Sequence, residues 1–190
     1  MTDRRAPNNS INLEQLIEKL KKKSLTFEEI EDICHNKYPV INYEDLKNVN
    51  SLYALNLEQG IILYCPVESL TSGHYMCLYK RGCILNIFDP CGYTLSQDFK
   101  LMTYVRERNQ EMYLTRLIQD WINKGGKIST NNYHLEKNSA SINTCGLHCI
   151  TRLSFKDYTD NEYWKFLKLG KYTPDDIVCL LNVLDALDMK

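Results

Sequence analysis

The amino-acid sequence predicts an α+β fold, with a small central mixed β-sheet flanked by helices. Three observations predict it. Apolar residues recur at helical spacing near the N-terminus, short apolar runs bounded by turn residues fill the middle of the chain, and helical spacing returns in the last third. A chain of 190 residues is long enough for one domain with a hydrophobic core and a modest extension. We therefore expect helices on either side of the sheet in sequence order.

Two helices are predicted in the N-terminal quarter of the chain. The first carries apolar residues at helical spacing and ends in a run of lysines, where cations suit the helix dipole. The second is indicated by Thr26 with Glu29 three residues later, the pair of a capping box. We expect residues 1–10 to be disordered, residues 11–50 to form a helical extension packed on the core, and residues 51–190 to form the main domain.

The central sheet is predicted from short apolar runs. The run 61–65 stops at a proline, as a strand would. The runs 74–79 and 83–88 flank a tight turn at Arg81-Gly82, so we expect a hairpin. A further strand-like piece covers 128–135.

The remaining helices follow the hairpin. Helical spacing covers 111–123 and ends at two glycines. An apolar helix begins near Cys145, and two more helices follow it. The start of the last is marked by Thr173-Pro174 and two acids in the first turn.

Composition limits the classes of function. The 23 Lys and Arg against 24 Asp and Glu give a net charge of −1, so no basic field requires a nucleic-acid partner. No apolar run approaches the length that spans a bilayer, and no apolar stretch follows the polar first ten residues, so we expect neither membrane insertion nor a secretory signal. Several of the eight cysteines sit in apolar runs, which indicates small buried hydrophobes and a reducing compartment.

Three short motifs could carry chemistry. Cys145 lies where a loop gives way to a helix, and a helix N-terminus stabilises a thiolate. Gly146 behind it would allow a substrate to approach the backbone. His74, at the start of a strand, could hold the thiol as an ion pair and protonate a leaving amine. Asp89, at the end of the next strand, could fix the tautomer of that histidine.

Each residue also has a structural interpretation. A histidine at a strand start, an Asp-Pro turn, and cysteines four residues apart on a helix are all common without catalysis. Metal binding is the competing chemistry, because the chain contains enough ligand types for a zinc site: Cys91, His134, Cys145, His148 and Cys149. A structural zinc site normally shows paired knuckles, and the sequence has no C-x-x-C, so we expect neither a metal nor any other cofactor.

The stretches G-H-Y-M, F-D-P-C-G-Y and N-T-C-G-L-H-C resemble the histidine, acid and cysteine motifs of the adenain-like and Ulp-like cysteine peptidases. The resemblance covers residues 60–155, and the order of the three motifs is that of the group. It implies a triad of His74, Asp89 and Cys145, with the cysteine at the N-terminus of a buried helix. Tyr75 replaces the tryptophan that usually follows the histidine.

The resemblance also implies an oxyanion hole. The family places a glutamine six or seven residues before the cysteine, and this chain has Asn138 at the adenain-like spacing. Asn138 carries the same amide donor on a shorter arm. The backbone N–H groups of Cys145 and Gly146 could share the role.

By the same resemblance, the chain is expected to be a viral or virophage maturation protease that cleaves capsid or core precursors at small, glycine-rich sites. Its partners would be those precursors, with a peptide activator left open, and it would act in the virion, the host cytoplasm or a viral factory. Two alternatives remain. One is a protease for ubiquitin-like modifiers such as SUMO, and the other is a non-catalytic binding module of the same fold.

Overall fold

The computed structural model describes residues 12–69, 72–92, 112–137 and 142–188. Within these ranges the chain forms a five-stranded mixed sheet flanked by helices, which confirms the α+β class. The described strands are β1 Val40–Asn42, β2 Ile61–Ser69, β3 Ser72–Arg81, β4 Ile84–Phe88 and β5 Lys127–Thr130. The described helices are α1 Leu13–Lys21, α2 Phe27–Ile33, α3 Tyr113–Asn123, α4 Cys145–Ser154, α5 Asp160–Leu167 and α6 Pro174–Asp188. Two short 3-10 helices cover Tyr43–Asn48 and Leu52–Ala54.

The strands lie in the sheet in sequence order, β1-β2-β3-β4-β5. The central pairs β2–β3 and β3–β4 are antiparallel, whereas β1 and β5 add to the two edges in parallel. The hairpin predicted at Arg81-Gly82 is present, with Arg81 opposite Ile84 and Gly82 at a φ of +60°. A positive φ suits glycine because it has no Cβ to clash with the backbone.

Both faces of the sheet are buried. Tyr75, Cys77 and Tyr79 of β3 pack in one core cluster with α4, and the alternate residues Met76 and Leu78 pack in a second cluster with α3. Side chains of a strand alternate between the two faces, so a strand covered on both sides becomes apolar along its whole length. This explains the continuous apolar runs in the middle of the sequence.

The helix that begins at Cys145 is buried as the sequence predicts. Every residue from Gly146 to Leu153 is buried, and α4 packs directly on β3. Its buried polar side chains have partners inside the protein: His148 pairs with Asp175, and Arg152 donates to the carbonyls of Phe155 and Tyr158. Because α4 packs on β3, its first residue lies close to the central strand of the sheet.

The segment 11–50 is more than a helical extension. Beyond α1 and α2, it contributes the edge strand β1, whose Ile41 lies opposite Leu63 of β2. Tyr43 and Leu46 are fully buried in the second core cluster. Residue 50 therefore does not separate an accessory arm from a sheet. The expected disorder of residues 1–10 lies outside the described residues.

Two strand boundaries differ from expectation. β2 does not stop at Pro66, which lies opposite Gly73; instead the ladder becomes irregular between Pro66 and Ser69. Proline is tolerated in a strand next to such an irregularity because its missing N–H is not needed there. β5 ends at Thr130 rather than near residue 135. In the described ranges, no helix is both long enough and apolar enough to cross a membrane.

Candidate active site

The three residues of the predicted triad come from three elements that meet at one end of the sheet. His74 lies near the start of β3, Asp89 follows the last residue of β4, and Cys145 is the first residue of α4. Continuing the Cys77–Phe88 register by one residue places Asp89 opposite Met76, on the diagonal from His74. Diagonal neighbours on an antiparallel pair lie within reach of long side chains. The hairpin therefore brings the histidine and the acid together.

Nε2 of His74 lies 3.0 Å from Oδ1 of Asp89, although it is not aligned for a good hydrogen bond. Catalytic hydrogen bonds are often poorly aligned before a substrate binds. The Nε2 atom is buried, but the side chain of His74 as a whole remains 18% exposed, against 3% for Asp89. The imidazole is thus anchored on the protein side and reachable from the solvent side.

The thiol of Cys145 is the other group that acts on the charge of this ring. Burial alone would lower the pKa of His74. Interactions with Asp89 and then with Cys145 outweigh burial, so the pKa lies well above its ordinary value. A raised histidine pKa favours imidazolium, which is the state that stabilises a neighbouring thiolate. Asp89 and Cys145 therefore both favour the protonated form of the His74 ring.

The N-terminus of α4 is held by contacts from distant segments. Oε1 of Glu136 accepts a hydrogen bond from the N–H of Thr144 at 2.8 Å, and the hydroxyl of Thr144 donates to Asp175 at the start of α6. One residue earlier, the N–H of Asn143 donates to the carbonyl of Lys21 at 2.8 Å. The first-turn N–H groups have no carbonyl partner in an α-helix, so they are available to an anion. These contacts fix Cys145 at that position.

Asn131 is a positioning residue that the sequence did not reveal. Its side chain accepts from the N–H of Asp89 at 2.7 Å and donates to the carbonyl of Asp89 at 2.6 Å, so it grips both sides of that residue's backbone. The side chain also donates to the carbonyl of Tyr133, and Asn131 is only 5% exposed. The same contacts explain why the chain leaves the sheet after Thr130. An asparagine after a strand gives no signal of this role.

Gly146 has a packing role that the sequence did not reveal. A Cβ on Gly146 would lie 2.3 Å from Cδ1 of Ile30, a fully buried residue of α2. The close packing of α4 against Ile30 therefore requires glycine here, and access for a substrate stays a prediction. Its backbone N–H as an oxyanion donor stays a prediction. Asn138, the predicted side-chain donor, lies outside the described residues.

Tyr75 is buried. It stands directly after His74, where the family that the motifs resemble usually has a tryptophan. Its hydroxyl donates to the carbonyl of Leu25 at 3.1 Å, and its ring packs beside Tyr64 with centroids 5.1 Å apart. Tyr75 therefore fills the core next to His74 and helps to hold the start of α2 against the sheet.

The alternative metal ligands considered from the sequence do not gather into one site. His148 is fully buried and pairs with Asp175 at 3.2 Å, whereas Cys149 is fully buried in the core next to Cys77. A different group of donors does meet within the described residues: His74, Cys91 and Glu136 have ligand atoms within 4.8 Å of one another. These three come from separate segments, so no spacing in the sequence could indicate them.

Comparison with known proteins identifies no family for the chain. No protein-family model matches the sequence, and no curated protein matches it significantly. The functional conclusion therefore depends on the geometry around Cys145.

Proposed function

We propose that this chain is a cysteine endopeptidase with Cys145 as nucleophile, His74 as general base and acid, and Asp89 as the residue that orients the histidine. One observation carries the proposal. A half-buried cysteine at the N-terminus of a buried helix meets a histidine of raised pKa, and that histidine is backed by a buried aspartate. Ion pairing and a helix dipole are the two usual means of activating a thiol.

The residues support acyl transfer in two steps. The Cys145 thiolate attacks the carbonyl carbon of a peptide bond, and the first-turn N–H groups of α4 stabilise the oxyanion. The C–N bond then breaks, and the amine leaves with the proton of the imidazolium. Water attacks the thioester while neutral His74 takes its proton, and the acid product leaves as the thiol is restored. Apart from the peptide substrate and one water molecule, no other reactant is needed to balance the two steps.

The N–H of Thr144 does not belong to this oxyanion hole, because Glu136 already accepts its hydrogen bond. The backbone donors are instead those of Cys145 and Gly146, with Asn138 as the side-chain donor. Removing an amide donor of this kind costs about 2.7–4 kcal/mol of barrier. Asn138→Ala should therefore raise the activation barrier of turnover by that amount. An unchanged rate would remove Asn138 from the oxyanion hole.

The finer identity is carried by the sequence motifs. Together with the α+β arrangement, they favour the adenain/Ulp-like protease fold and a viral or virophage maturation protease acting on capsid or core precursors. Cleavage would follow small residues, with glycine preferred. We propose the virion and the host cell as the place of action, by the same resemblance.

The activity is tested on a mixture of N-terminally blocked proteins, in which mass spectrometry identifies each newly formed N-terminus. We expect the wild-type chain to produce cleavages after small residues and Cys145→Ala to produce none while unfolding at the same temperature. Cleavages that persist in Cys145→Ala would contradict the proposal. So would their absence when wild-type protein is mixed with precursor-rich virions, which would supply any peptide activator.

The substrate class is tested separately with electrophilic probes that trap the thiol. If the chain is a maturation protease, a short peptide that ends in Gly-Gly and carries an electrophile at its C-terminus should label Cys145. Selective labelling by SUMO or ubiquitin carrying the same electrophile would instead assign the chain to the modifier proteases. No labelling by any probe, with an unreactive Cys145, would indicate the binding module.

A further inference from the structure

Three metal-ligating side chains converge beside the proposed catalytic histidine. The donor atoms of His74, Cys91 and Glu136 all lie within 4.8 Å of one another, and Sγ of Cys91 is 3.4 Å from Oε2 of Glu136. They come from the start of β3, the turn after β4 and the segment after β5. We propose that these three side chains bind a divalent transition metal ion, and that their chemistry selects Zn²⁺. The bound ion inhibits Cys145, because it coordinates the His74 ring on which the thiol depends.

The spacing of the donors fits a small tetrahedral ion. Zinc binds sulfur at 2.3 Å and carboxylate oxygen at 2.0–2.2 Å, which places the two ligand atoms about 3.6 Å apart. The separation between Cys91 and Glu136 is 3.4 Å, so this pair already has the required spacing. The remaining pairs lie within 4.8 Å and would close by up to about 1.4 Å around a bound ion.

The identity of the donors selects the metal. One thiol, one imidazole and one carboxylate form a mixed set that suits zinc and related transition metals and does not suit Mg²⁺ or Ca²⁺, which prefer oxygen. Three protein ligands leave a fourth position for water or for the Cys145 thiolate, as in an open zinc site.

The electrostatic surroundings favour a dication. The carboxylates of Asp89 and Glu136 both accept hydrogen bonds from Cys91, so two negative groups border the thiol. These carboxylates attract a divalent cation, and a metal ion deprotonates its coordinating thiol outright. Binding therefore releases the thiol proton to solvent, together with the extra proton of His74 if the ring is charged.

The ligands are oriented by further contacts. Oε1 of Glu136 is held by the N–H of Thr144 at 2.8 Å, which leaves Oε2 directed at Cys91. Oδ1 of Asp89 accepts from the N–H of Cys91 at 2.7 Å and faces His74. Such outer contacts pre-orient a metal site and raise its affinity. His74 and Cys91 are both partly exposed, which gives the ion a path of entry.

The regulatory part of the inference rests on the proposed protease function, whereas the metal site does not. A histidine lone pair bound to zinc cannot accept the thiol proton, so the Cys145–His74 pair is lost until the metal is removed. The chain would then be silent where free zinc is available and active where a chelating protein removes it.

Metal binding is tested first with Co²⁺, which reports thiolate ligation by its charge-transfer absorption. The Cys145→Ala protein removes the nucleophile as a ligand. We expect one Co²⁺ per chain with a thiolate band that Zn²⁺ displaces. The band should disappear in Cys145→Ala/Cys91→Ser and remain in the control Cys145→Ala/Cys83→Ser, because Cys83 is exposed and distant in the hairpin. A missing band in Cys145→Ala, or one that survives Cys91→Ser, overturns the site.

Glu136→Gln keeps an acceptor for Thr144 and removes the ligand charge, so it tests the site even if Cys91→Ser folds poorly. In a chelator competition, Zn²⁺ should bind this variant at least ~10-fold more weakly, the lower bound for losing even an outer-shell partner. Unchanged affinity would remove Glu136 and with it the three-ligand site.

Inhibition is tested by the rate at which iodoacetamide alkylates Cys145, measured in the wild type with and without Zn²⁺. We expect zinc to slow alkylation, a chelator to restore it, and Glu136→Gln to need more zinc for the same ratio. Slow alkylation without zinc would contradict the protease and leave the Co²⁺ result standing. Zinc that binds without slowing alkylation would contradict only the switch.

Discussion

Two histidine–aspartate pairs lie in or near α4 in the part of the chain that the structure describes. His74 lies 3.0 Å from Asp89, and its side chain is 18% exposed. His148, one turn into α4, lies 3.2 Å from Asp175 and has no exposed surface. The separations are similar, and both aspartates are buried. The pairs differ in what else each one contacts.

The comparison shows that residue types and distances do not identify a catalytic pair by themselves. The His74–Asp89 pair lies beside the thiol of Cys145, at an end of the sheet that a substrate could reach. The pair of α4 and α6 lies inside the core, where Asp175 also accepts from the hydroxyl of Thr144 and from the N–H of Lys137 at 3.2 Å. We propose proton exchange for the first pair, whereas the second pair joins two helices.

Replacing the buried histidine should have the largest effect. His148→Gln removes the ring that faces the buried Asp175 carboxylate and leaves only the hydrogen bonds of Thr144 and Lys137. Removing one side of a buried pair costs about 3–5 kcal/mol in the free energy of unfolding. Urea titration at neutral pH measures this loss. In the folded fraction, the ratio of Cys145 to Cys83 alkylation rates should stay within twofold of wild type. A large drop in that ratio would mean that His148 also affects the reactivity of Cys145. The distinction between the two histidine–aspartate pairs would then be wrong.

The same substitution at the other pair should change reactivity more than stability. In the proposed mechanism, His74→Gln removes the imidazolium that pairs with the Cys145 thiolate. At pH 6 an ordinary thiol of pKa 8.5 is only ~0.3% thiolate, and a paired thiolate is intrinsically less nucleophilic, so the net loss should be about 10²-fold. Limiting iodoacetamide with site-resolved mass spectrometry measures it, with Cys83 of the same molecule as internal standard. An unchanged Cys145 rate would remove His74 from the mechanism.

A pH series should sharpen the role of Asp175. Burial alone would raise the pKa of this carboxyl, but the hydrogen bond and charge of His148 and the hydrogen bond of Thr144 lower it below its ordinary value. A carboxyl with a lowered folded-state pKa stabilises the protein above its unfolded pKa of about 3.9, and that stabilisation disappears as the pH falls through the folded pKa.

Asp175→Asn should therefore reduce the free energy of unfolding by about 1–3 kcal/mol at pH 7, and the difference from wild type should shrink as the pH falls below about 4. Urea titrations at pH 7 and pH 3 measure both differences. Asp157→Asn, at an exposed site, is the matched control and should show no such dependence. A constant difference at both pH values would mean that Asp175 acts through packing alone.

The smallest effect is expected for Asn131, whose side chain holds the backbone of Asp89. Asn131→Ala frees the backbone of Asp89 and loosens the aim of its carboxylate at His74. We expect the Cys145 alkylation rate at pH 6 to fall about fivefold, the equivalent of one hydrogen bond of ~1 kcal/mol. Asn86→Ala, at an equally buried asparagine within β4, should not change that rate. Equal effects in both variants would reduce Asn131 to a structural residue.

Much of the fold could be predicted because local signals agree with the final structure. The capping box of Thr26 and Glu29 forms as predicted, and so does the turn at Gly82. The strand β1 could not be predicted, because a run of three residues gives no periodicity and depends on its pairing with β2. The continuation of β2 past Pro66 has a similar cause, since only the neighbouring strand determines whether a proline is tolerated.

The candidate site was predictable where it follows chain order and unpredictable where it depends on contacts. His74, Asp89 and Cys145 are marked by their element boundaries and by the motif resemblance. Asn131 and Glu136 act through the backbone N–H and C=O groups of other segments, which leave no trace in residue spacing. The pairing of His148 with Asp175 joins two helices, and only the folded chain reveals it.

The attachment of the loop before Cys145 has a consequence for synthesis on the ribosome. That loop is held by the carbonyl of Lys21, and Lys21 in turn pairs with Asp176 at 2.8 Å. A nascent chain that has reached Ser154 contains every residue of the proposed triad but neither Asp175 nor Asp176 of the last helix. We therefore expect the thiol to gain its working position only after translation has passed residue 176. The unfinished polypeptide would then be unable to cut itself or the other chains emerging nearby.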